Sequence, residues 1–253
     1  MIYVAWATML FGLMLSSTSN KNILTVLKSL VITKNASNLT LAAGAFVTSM
    51  LLMVAHLSWM DPAIANLPPV LDSYWLMIHV AVIVASYGPF TLSMILGITV
   101  LILMLLTNKE NKEKMLLNIK ELTIINEMSL TVGLVMLTIG NFLGGMWANE
   151  SWGRYWGWDP KETWALISIM IYAFVIHARL VPGLRGRWTF NFMSIIAIGF
   201  IIFTYFGVNF YLSGLHSYQS GQDLSYKYIA FALLIITVLG VFSYRAYAKY
   251  YKK

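Results

Sequence analysis

The chain has 253 residues, of which 59% are hydrophobic and 11% charged, and its formal net charge is +7. A soluble domain carries about 25% charged residues, so this composition excludes an ordinary soluble protein and favours one embedded in a membrane. The sequence contains no cysteine, which excludes disulfides, thiolate metal sites and a thiol nucleophile on this chain.

Seven apolar segments follow one another along the chain. They span residues 2–16, 39–59, 75–106, 122–147, 163–180, 190–212 and 226–247. A membrane-spanning helix needs about 20 apolar residues, which is near the length of most of these segments. The third is longer, so we expect it to tilt or to extend beyond the bilayer. The sequence predicts an all-α integral membrane protein, a single membrane domain over residues 1–253 forming a bundle of about seven transmembrane helices.

The first segment is short for a full span and is apolar from its first residues. We therefore expect the chain to be N-terminally truncated, or to start at an internal methionine of a longer protein. A short, tilted first helix is the alternative interpretation.

Lysines and arginines predict the orientation of the bundle. Fourteen of the 17 lie in one set of loops and in the C-terminal tail, whereas Arg154, Lys161 and Lys227 lie on the opposite side. Because basic loops face the cytoplasm, the N-terminus is predicted outside and the C-terminus inside a bacterial inner membrane. The basic residues do not gather on one polar face, so nucleic acid is not an expected partner.

The loop between the fourth and fifth segments, residues 147–164, is rich in tryptophan. It holds five of the nine tryptophans of the chain, with Gly153 and Gly157 among them. An interfacial aromatic belt explains one or two tryptophans at a helix end but not five so close together. Glycine lets the backbone turn and approach a ligand closely. Flat indoles spaced by glycine therefore indicate a large, flat, apolar ligand.

The same loop ends with a helix-start signal. Asp159 fits the N-cap position, Pro160 the first helical position and Glu162 the third, which together form a capping-box arrangement. We prefer a capping role for Asp159 and Glu162 to that of a catalytic acid. Such a cap would fix the angle at which the fifth segment begins and would support the loop.

Two histidines share the predicted outer face with this loop. His79 lies just inside the outer end of the third segment, and His216 lies in the outer loop after the sixth. Haem iron is commonly bound by two neutral imidazoles, one on each side of the flat macrocycle. Taken singly, each histidine is better explained as an interfacial or packing residue. Together with the tryptophan loop, they predict a haem site.

The other two histidines are placed differently. His56 lies near the outer end of the second segment, where an interfacial role is preferred to ligand contact. His177 lies thirteen residues beyond Trp164, about 20 Å further along the helix axis. Ionisable side chains inside a membrane are costly and usually functional, so we favour a functional role for His177 over snorkelling near Arg179.

The stretch from Trp152 to Ala165 resembles the WWD signature of a superfamily of haem-handling membrane proteins. It reads Trp-Gly-Arg-Tyr-Trp-Gly-Trp-Asp-Pro-Lys-Glu-Thr-Trp-Ala. Residues 69–80, 86–87 and 171–179 resemble the CcsA family, also called ResC, of system II cytochrome c biogenesis. The resemblance covers nearly the whole chain. Members of that family usually have further membrane sequence upstream, either another helix or a fused CcsB half. This agrees with the expectation that the chain is truncated at its N-terminus.

The resemblance implies a set of ligands for haem b. His79 and His216 would be the axial ligands of an external haem, and the WWD segment would cradle it. The residues of that cradle are Trp152, Tyr155, Trp156, Trp158, Asp159 and Trp164. His177 would be an axial ligand within the membrane for haem on its way out, opposite a histidine of the partner CcsB (ResB).

The function that the resemblance implies is that of a holocytochrome c synthase acting in complex with CcsB. Haem would be presented at the extracytoplasmic face for thioether attachment to the Cys-x-x-Cys-His motif of apocytochrome c. No residue of this chain is assigned a catalytic role of its own, and a thiol-reducing, thioredoxin-like protein is a further candidate partner.

Two alternatives stay open at this point. One is a haem carrier of the CcmC type, which would deliver haem to a chaperone. The other is a membrane transporter or structural subunit that binds no haem, for which the purified protein would be colourless.

Overall fold

The computed structural model describes residues 9–10, 13, 34–56, 73–215 and 226–251, and every regular element among them is a helix. The helices are α1 (Lys34–His56), α2 (Tyr74–Leu105), α3 (Lys112–Trp152), α4 (Pro160–His177), α5 (Arg187–Ile202), α6 (Val208–Tyr211) and α7 (Tyr226–Tyr250). A short 3-10 helix, Ala178–Leu180, extends α4, and a π-helical turn, Phe203–Gly207, joins α5 to α6.

Five of the described helical stretches are long and apolar enough to cross a membrane. They are Tyr74–Leu105, Lys112–Trp152, Pro160–Leu180, Arg187–Gly207 and Ile229–Tyr250. The prediction of an all-helical chain with several membrane spans is thereby confirmed. Helix α1 contains a shorter apolar stretch, Asn38–Met50, and the first predicted segment falls almost wholly outside the described residues. The number of seven spans and the orientation stay predictions.

Helices α2 and α3 form a closely packed antiparallel pair. Gly140 of α3 lies against α2, where an added Cβ would be 2.6 Å from Ile83 Cγ1. Ser129 of α3 donates a hydrogen bond of 2.8 Å to the carbonyl of Pro89, inside α2. Small residues at such contacts let membrane helices approach closely. The pairing brings the start of α2 beside the end of α3, where the tryptophan loop begins.

A buried polar network joins α2, α3 and α5. Asn126 donates to Asn191 Oδ1 at 2.9 Å and to Ser194 Oγ at 3.1 Å, and it accepts from Ser93. Asn191 in turn donates to Thr123 Oγ1 at 2.9 Å. Polar side chains inside a helical bundle must find partners, because no water is available there. The network therefore fixes how the three helices lie relative to one another.

Helix α3 extends beyond the predicted segment 122–147 at both ends. Hydropathy marks only where a helix is apolar, whereas helical hydrogen bonding continues until a residue ends it. Gly153 ends α3, because it takes a left-handed conformation with φ of 69° while its N–H closes the last turn on Asn149 O at 2.9 Å. Within the predicted loop 147–164, only residues 153–159 are therefore irregular.

Candidate functional site

A capping box holds the tryptophan loop to the start of α4. The Asp159 carboxylate accepts from the backbone N–H of Lys161 at 3.1 Å. Glu162 Oε2 accepts from the backbone N–H of Asp159 at 3.2 Å and from that of Gly157 at 2.8 Å. The predicted capping role of Asp159 and Glu162 is confirmed. Because Glu162 binds two backbone positions of the loop, it also sets the path of the loop into the helix.

Asp159 further connects the loop to the segment that follows α6. Its Oδ1 accepts from the backbone N–H of Leu215 at 2.6 Å, and Asp159 is only 6% exposed. Gly214 lies against this contact, since an added Cβ would be 2.8 Å from Pro160 Cδ and would also collide with the Asp159 carboxylate. The next residue along the chain is the predicted ligand His216, which lies outside the described residues.

Trp158 has an unusual backbone conformation, and its side chain is exposed. Its φ is 57°, the one positive value at a non-glycine residue in the part of the chain that the structure describes. A bulky side chain is rare in this left-handed region. The Trp158 indole is 72% exposed and stands edge-on to that of Trp156, with ring centroids 5.7 Å apart. The loop therefore exposes Trp158 and directs Trp156 toward the bundle.

A cavity of about 530 Å³ lies beneath the loop. Helices α2, α3 and α4, the loop, the π-helical turn and α6 all contribute to its wall, which is mostly apolar. Its aromatic and imidazole lining consists of His79, Tyr87, Trp147, Tyr155, Trp156 and Tyr205. Small-molecule and cofactor sites have volumes of about 300–1,000 Å³ and similar walls. The cavity can therefore take a large, flat, apolar ligand.

His79 is the candidate iron ligand inside this cavity. Its side chain is buried and stacks on Trp147, with ring centroids 5.3 Å apart and an angle of 24° between the planes. Its Nδ1 is 2.8 Å from the carbonyl oxygen of Trp75. Because a carbonyl can only accept, Nδ1 is the donor in this hydrogen bond, and in the neutral imidazole the lone pair is then on Nε2. An imidazole oriented in this way is suited to coordinate a metal.

The predicted aromatic cradle is only partly brought together. Tyr155 and Trp156 line the cavity. Trp152 contributes indirectly, because it packs edge-on against Trp147 with ring centroids 4.8 Å apart. Trp164 packs on Phe203 of the π-helical turn, at 4.2 Å between ring centroids, and so supports the wall from behind. Trp158 points away, as described above.

His177 lies at the far end of α4, away from the cavity. Its side chain is exposed, and its Nδ1 hydrogen-bonds to the carbonyl of Ala173 at 2.7 Å. The carbonyl four residues earlier thus orients the His177 ring as that of Trp75 orients His79. His56 is the last residue of α1, and its side chain is outside what the structure describes.

Several residues of the cavity wall were missed by reasoning from the sequence. They are Tyr87, Lys161, Tyr205 and Asn209 as wall residues, and Trp147 as the stacking partner of His79. From the sequence, Lys161 is one of three basic residues on the predicted outer side and part of the stretch that resembles the WWD signature. A signal existed for Tyr205 and Asn209, which are polar side chains within the sixth apolar segment. Nothing local indicates that they face His79.

Comparison with known proteins gives a consistent result over most of the chain. The family model described as Cytochrome C assembly protein matches residues 1–216. Protein NrfI of Wolinella succinogenes is 46% identical over 224 residues, which cover 88% of this chain and 23% of NrfI. Cytochrome c biogenesis protein CcsA of Chlamydomonas reinhardtii is 42% identical over 155 residues, covering 60% of this chain and 42% of that protein.

A third relative matches over a greater share of its own length. Cytochrome c biogenesis protein CcsA of Nandina domestica is 31% identical over 260 residues, covering 87% of this chain and 76% of that protein. By contrast, this chain spans about a quarter of NrfI and less than half of the Chlamydomonas protein. With the family model matching well over half of its residues, this chain belongs to the cytochrome c assembly protein family.

Proposed function

We propose that this chain is the haem-handling subunit of a cytochrome c synthase and that it binds haem b in the cavity beneath the tryptophan loop. The observation that carries the proposal is the position of His79, which is buried in the wall of a cavity of about 530 Å³ with aromatic neighbours and donates from Nδ1 to the carbonyl of Trp75. Family membership supports haem handling in general. Most of the length of NrfI lies beyond this chain, so the activity of the whole synthase is part of the proposal.

The residues of the cavity fit haem b by shape and by chemistry. Tyr155 and Trp156 offer aromatic surface, and His79, which is stacked on the buried Trp147, offers a nitrogen ligand oriented by a carbonyl. His216 is the proposed second axial ligand. The hydrogen bond from Leu215 to Asp159 supports this role, because it attaches the residue preceding His216 to the tryptophan loop.

The proposed work of the chain is positioning. Bound haem supplies the vinyl groups, and apocytochrome c supplies the thiols, which agrees with a chain that has no cysteine. His79 and the loop would hold the reacting edge in one place while the wall excludes water. Orientation of this kind can contribute about 7–11 kcal/mol in well-aligned systems. No side chain of this chain needs to bond covalently to the substrate.

The proposed partners are a CcsB-type (ResB-type) protein, apocytochrome c and a thiol-reducing, thioredoxin-like protein. An exposed strip on α4 supports a partner beside this helix, because His177 lies on it with Phe174 and Met170. His177 would ligate haem there together with a histidine of the partner. In the proposed orientation, the residues that line the cavity lie toward the extracytoplasmic side of a bacterial inner membrane.

The test is the absorption spectrum of the full chain, purified in detergent after co-expression with its CcsB partner. We expect a low-spin haem spectrum that is lost or weakened in both His79→Ala and His216→Ala. His56→Ala is the matched control and should leave the spectrum unchanged. A colourless wild-type protein, or a spectrum that neither variant alters, would refute the proposal.

A haem carrier of the CcmC type is the alternative function for the same site. A carrier would need the same ligands and aromatic surface as a synthase, so the cavity agrees with both functions. The two functions differ in the product, so purified complex should be mixed with reduced apocytochrome c. Covalent cytochrome c, detected by haem stain after denaturing electrophoresis, supports the synthase. Transfer of haem without a covalent product supports the carrier.

A further inference from the structure

Lys161 places a cation at one end of the mostly apolar cavity, whose described lining also includes the neighbouring Glu162. Lys161 belongs to the first turn of α4 and is the one lysine or arginine in the described lining. Its Nζ donates to Asn209 Oδ1 at 2.9 Å and lies 5.5 Å from the centroid of the Tyr205 ring. Three elements, α4, α6 and the π-helical turn, thus converge on this one ammonium group.

The acidic groups nearest to Lys161 are already engaged elsewhere. The Glu162 carboxylate binds the backbone N–H groups of Gly157 and Asp159, and the Asp159 carboxylate binds those of Lys161 and Leu215. Over the residues that the structure describes, the single ion pair joins Arg179 to Glu127, beyond the far end of α4. The Lys161 ammonium therefore has no carboxylate within 4.0 Å in this part of the chain.

The direct contacts of this partly buried ammonium group are a neutral amide and a ring face, while the Asp159 carboxylate acts on it from a longer distance, so its charge is incompletely compensated. Removing a charge from water is costly unless an opposite charge or several hydrogen bonds replace the water. A ligand that carried an anionic oxygen to this end of the cavity would supply that compensation. Asn209 Nδ2 can donate to the second oxygen of the same group, because only its Oδ1 is bound to Lys161.

We propose that Lys161, with Asn209, is the binding site for a carboxylate of the ligand in the cavity. Resting on the proposed function, that carboxylate is a propionate of haem b. The propionates and the vinyl groups lie on different edges of haem b. A fixed propionate therefore sets the in-plane rotation of the ligand and the place where the vinyl groups meet the incoming thiols. Lys161 is in this sense a positioning residue.

The test compares two probes on the haem-free, detergent-purified full chain: iron protoporphyrin IX and its dimethyl ester. Each is titrated while absorbance is followed. We expect the wild-type chain to bind the free acid about tenfold more tightly than the diester, as one charge-assisted hydrogen bond provides. Lys161→Met should abolish this preference by weakening only the free acid. Lys161→Arg, which retains the charge, should retain a preference for the free acid.

Lys227→Met is the control, because it removes a cation that does not line the cavity. It should bind both probes as the wild type does. Equal affinity of the wild type for both probes, or a preference that survives in Lys161→Met, would overturn the role of Lys161 and leave the haem site standing. Failure of both probes to bind the wild type would overturn the proposed function and this inference with it.

Discussion

At the scale of single residues, Asp159 makes more contacts than a helix cap requires. Asp159→Ala removes the acceptors for the backbone N–H groups of both Lys161 and Leu215. Losing the cap costs about 1 kcal/mol, and losing a hydrogen bond to a charged group costs about 1.5–3 kcal/mol more. We expect a clear fall in the Tm of the detergent-purified chain. The Tm of Asp159→Asn should lie between that of the wild type and that of Asp159→Ala, because asparagine can cap a helix but offers only one acceptor oxygen.

Glu113→Ala is the matched control for this substitution. Glu113 is also an acidic residue in the first turn of a helix, α3, but its side chain is exposed. Exposed substitutions usually change stability by less than about 0.5 kcal/mol. A fall in Tm as large as that of Asp159→Ala would show that the contact with Leu215 adds nothing beyond ordinary helix-terminal charge.

The two contacts of Asp159 also differ in how far a sequence can predict them. The cap joins residues two apart, so the spacing of Asp159, Pro160 and Glu162 predicts it directly. The bond to Leu215 joins residues 56 apart, and no local pattern indicates it. His79 is a similar case. Its residue type and position identify it as a candidate ligand, whereas its stacking on Trp147 depends on how α2 packs on α3.

At the scale of helices, the approach of α3 to α2 depends on Gly140. An added Cβ would lie 2.6 Å from Ile83 Cγ1 and 3.1 Å from Ile83 N, so the backbone of α2 would have to move. Overpacking of this kind costs about 1–3 kcal/mol. Because Ile83 lines the cavity, Gly140→Ala should lower both the Tm and the affinity for added iron protoporphyrin IX. Both can be measured on the same purified sample.

Gly199→Ala provides the control for this effect. Gly199 lies in α5, and an added Cβ would meet no atom within 4 Å. Alanine is favoured over glycine in a helix by about 1 kcal/mol, so this variant should be unchanged or slightly more stable. If Gly140→Ala were equally harmless, close packing of α2 on α3 would not be what maintains the cavity wall.

The sequence predicts where helices occur more accurately than it predicts where they begin and end. The apolar segment 122–147 predicts the centre of α3, but the helix runs from Lys112 to Trp152. The sixth predicted segment, 190–212, contains α5, the π-helical turn and α6 in succession. An interruption of this kind is invisible to hydropathy, because all three parts are apolar. It nevertheless places Tyr205 and Asn209 at the cavity.

At the scale of the whole molecule, composition predicts the class of the fold, and the tryptophan loop indicates the region of the candidate site. The cavity itself could not be predicted, because its wall draws on residues from Leu76 to Asn209 that only tertiary packing brings together. The same packing separates the two described histidines that are candidate ligands. His79 lines the cavity, and His177 lies exposed near the opposite end of α4, about 20 Å along the helix from Trp164.

This separation leads to a prediction that distinguishes the two histidines. His177→Ala should leave the binding of added iron protoporphyrin IX to the purified chain unchanged, because the substituted side chain does not reach the cavity. His79→Ala should weaken that binding. In cells that also make CcsB and apocytochrome c, both variants should lower the yield of covalent cytochrome c, since His177 is proposed to ligate haem before it reaches the cavity.

Met170→Ala is the control, because Met170 is exposed on the same face of α4 but carries no ligand nitrogen. It should leave the binding of the porphyrin unchanged, and any fall in the yield of cytochrome should be smaller than that of His177→Ala, because Met170 can contribute only to contact with the partner. An unchanged yield in His177→Ala would remove this histidine from the route of haem. An equal loss in Met170→Ala would instead assign this face of α4 to contact with the partner. Supplying imidazole to His177→Ala separates these cases further, because only a missing ligand can be replaced by free imidazole.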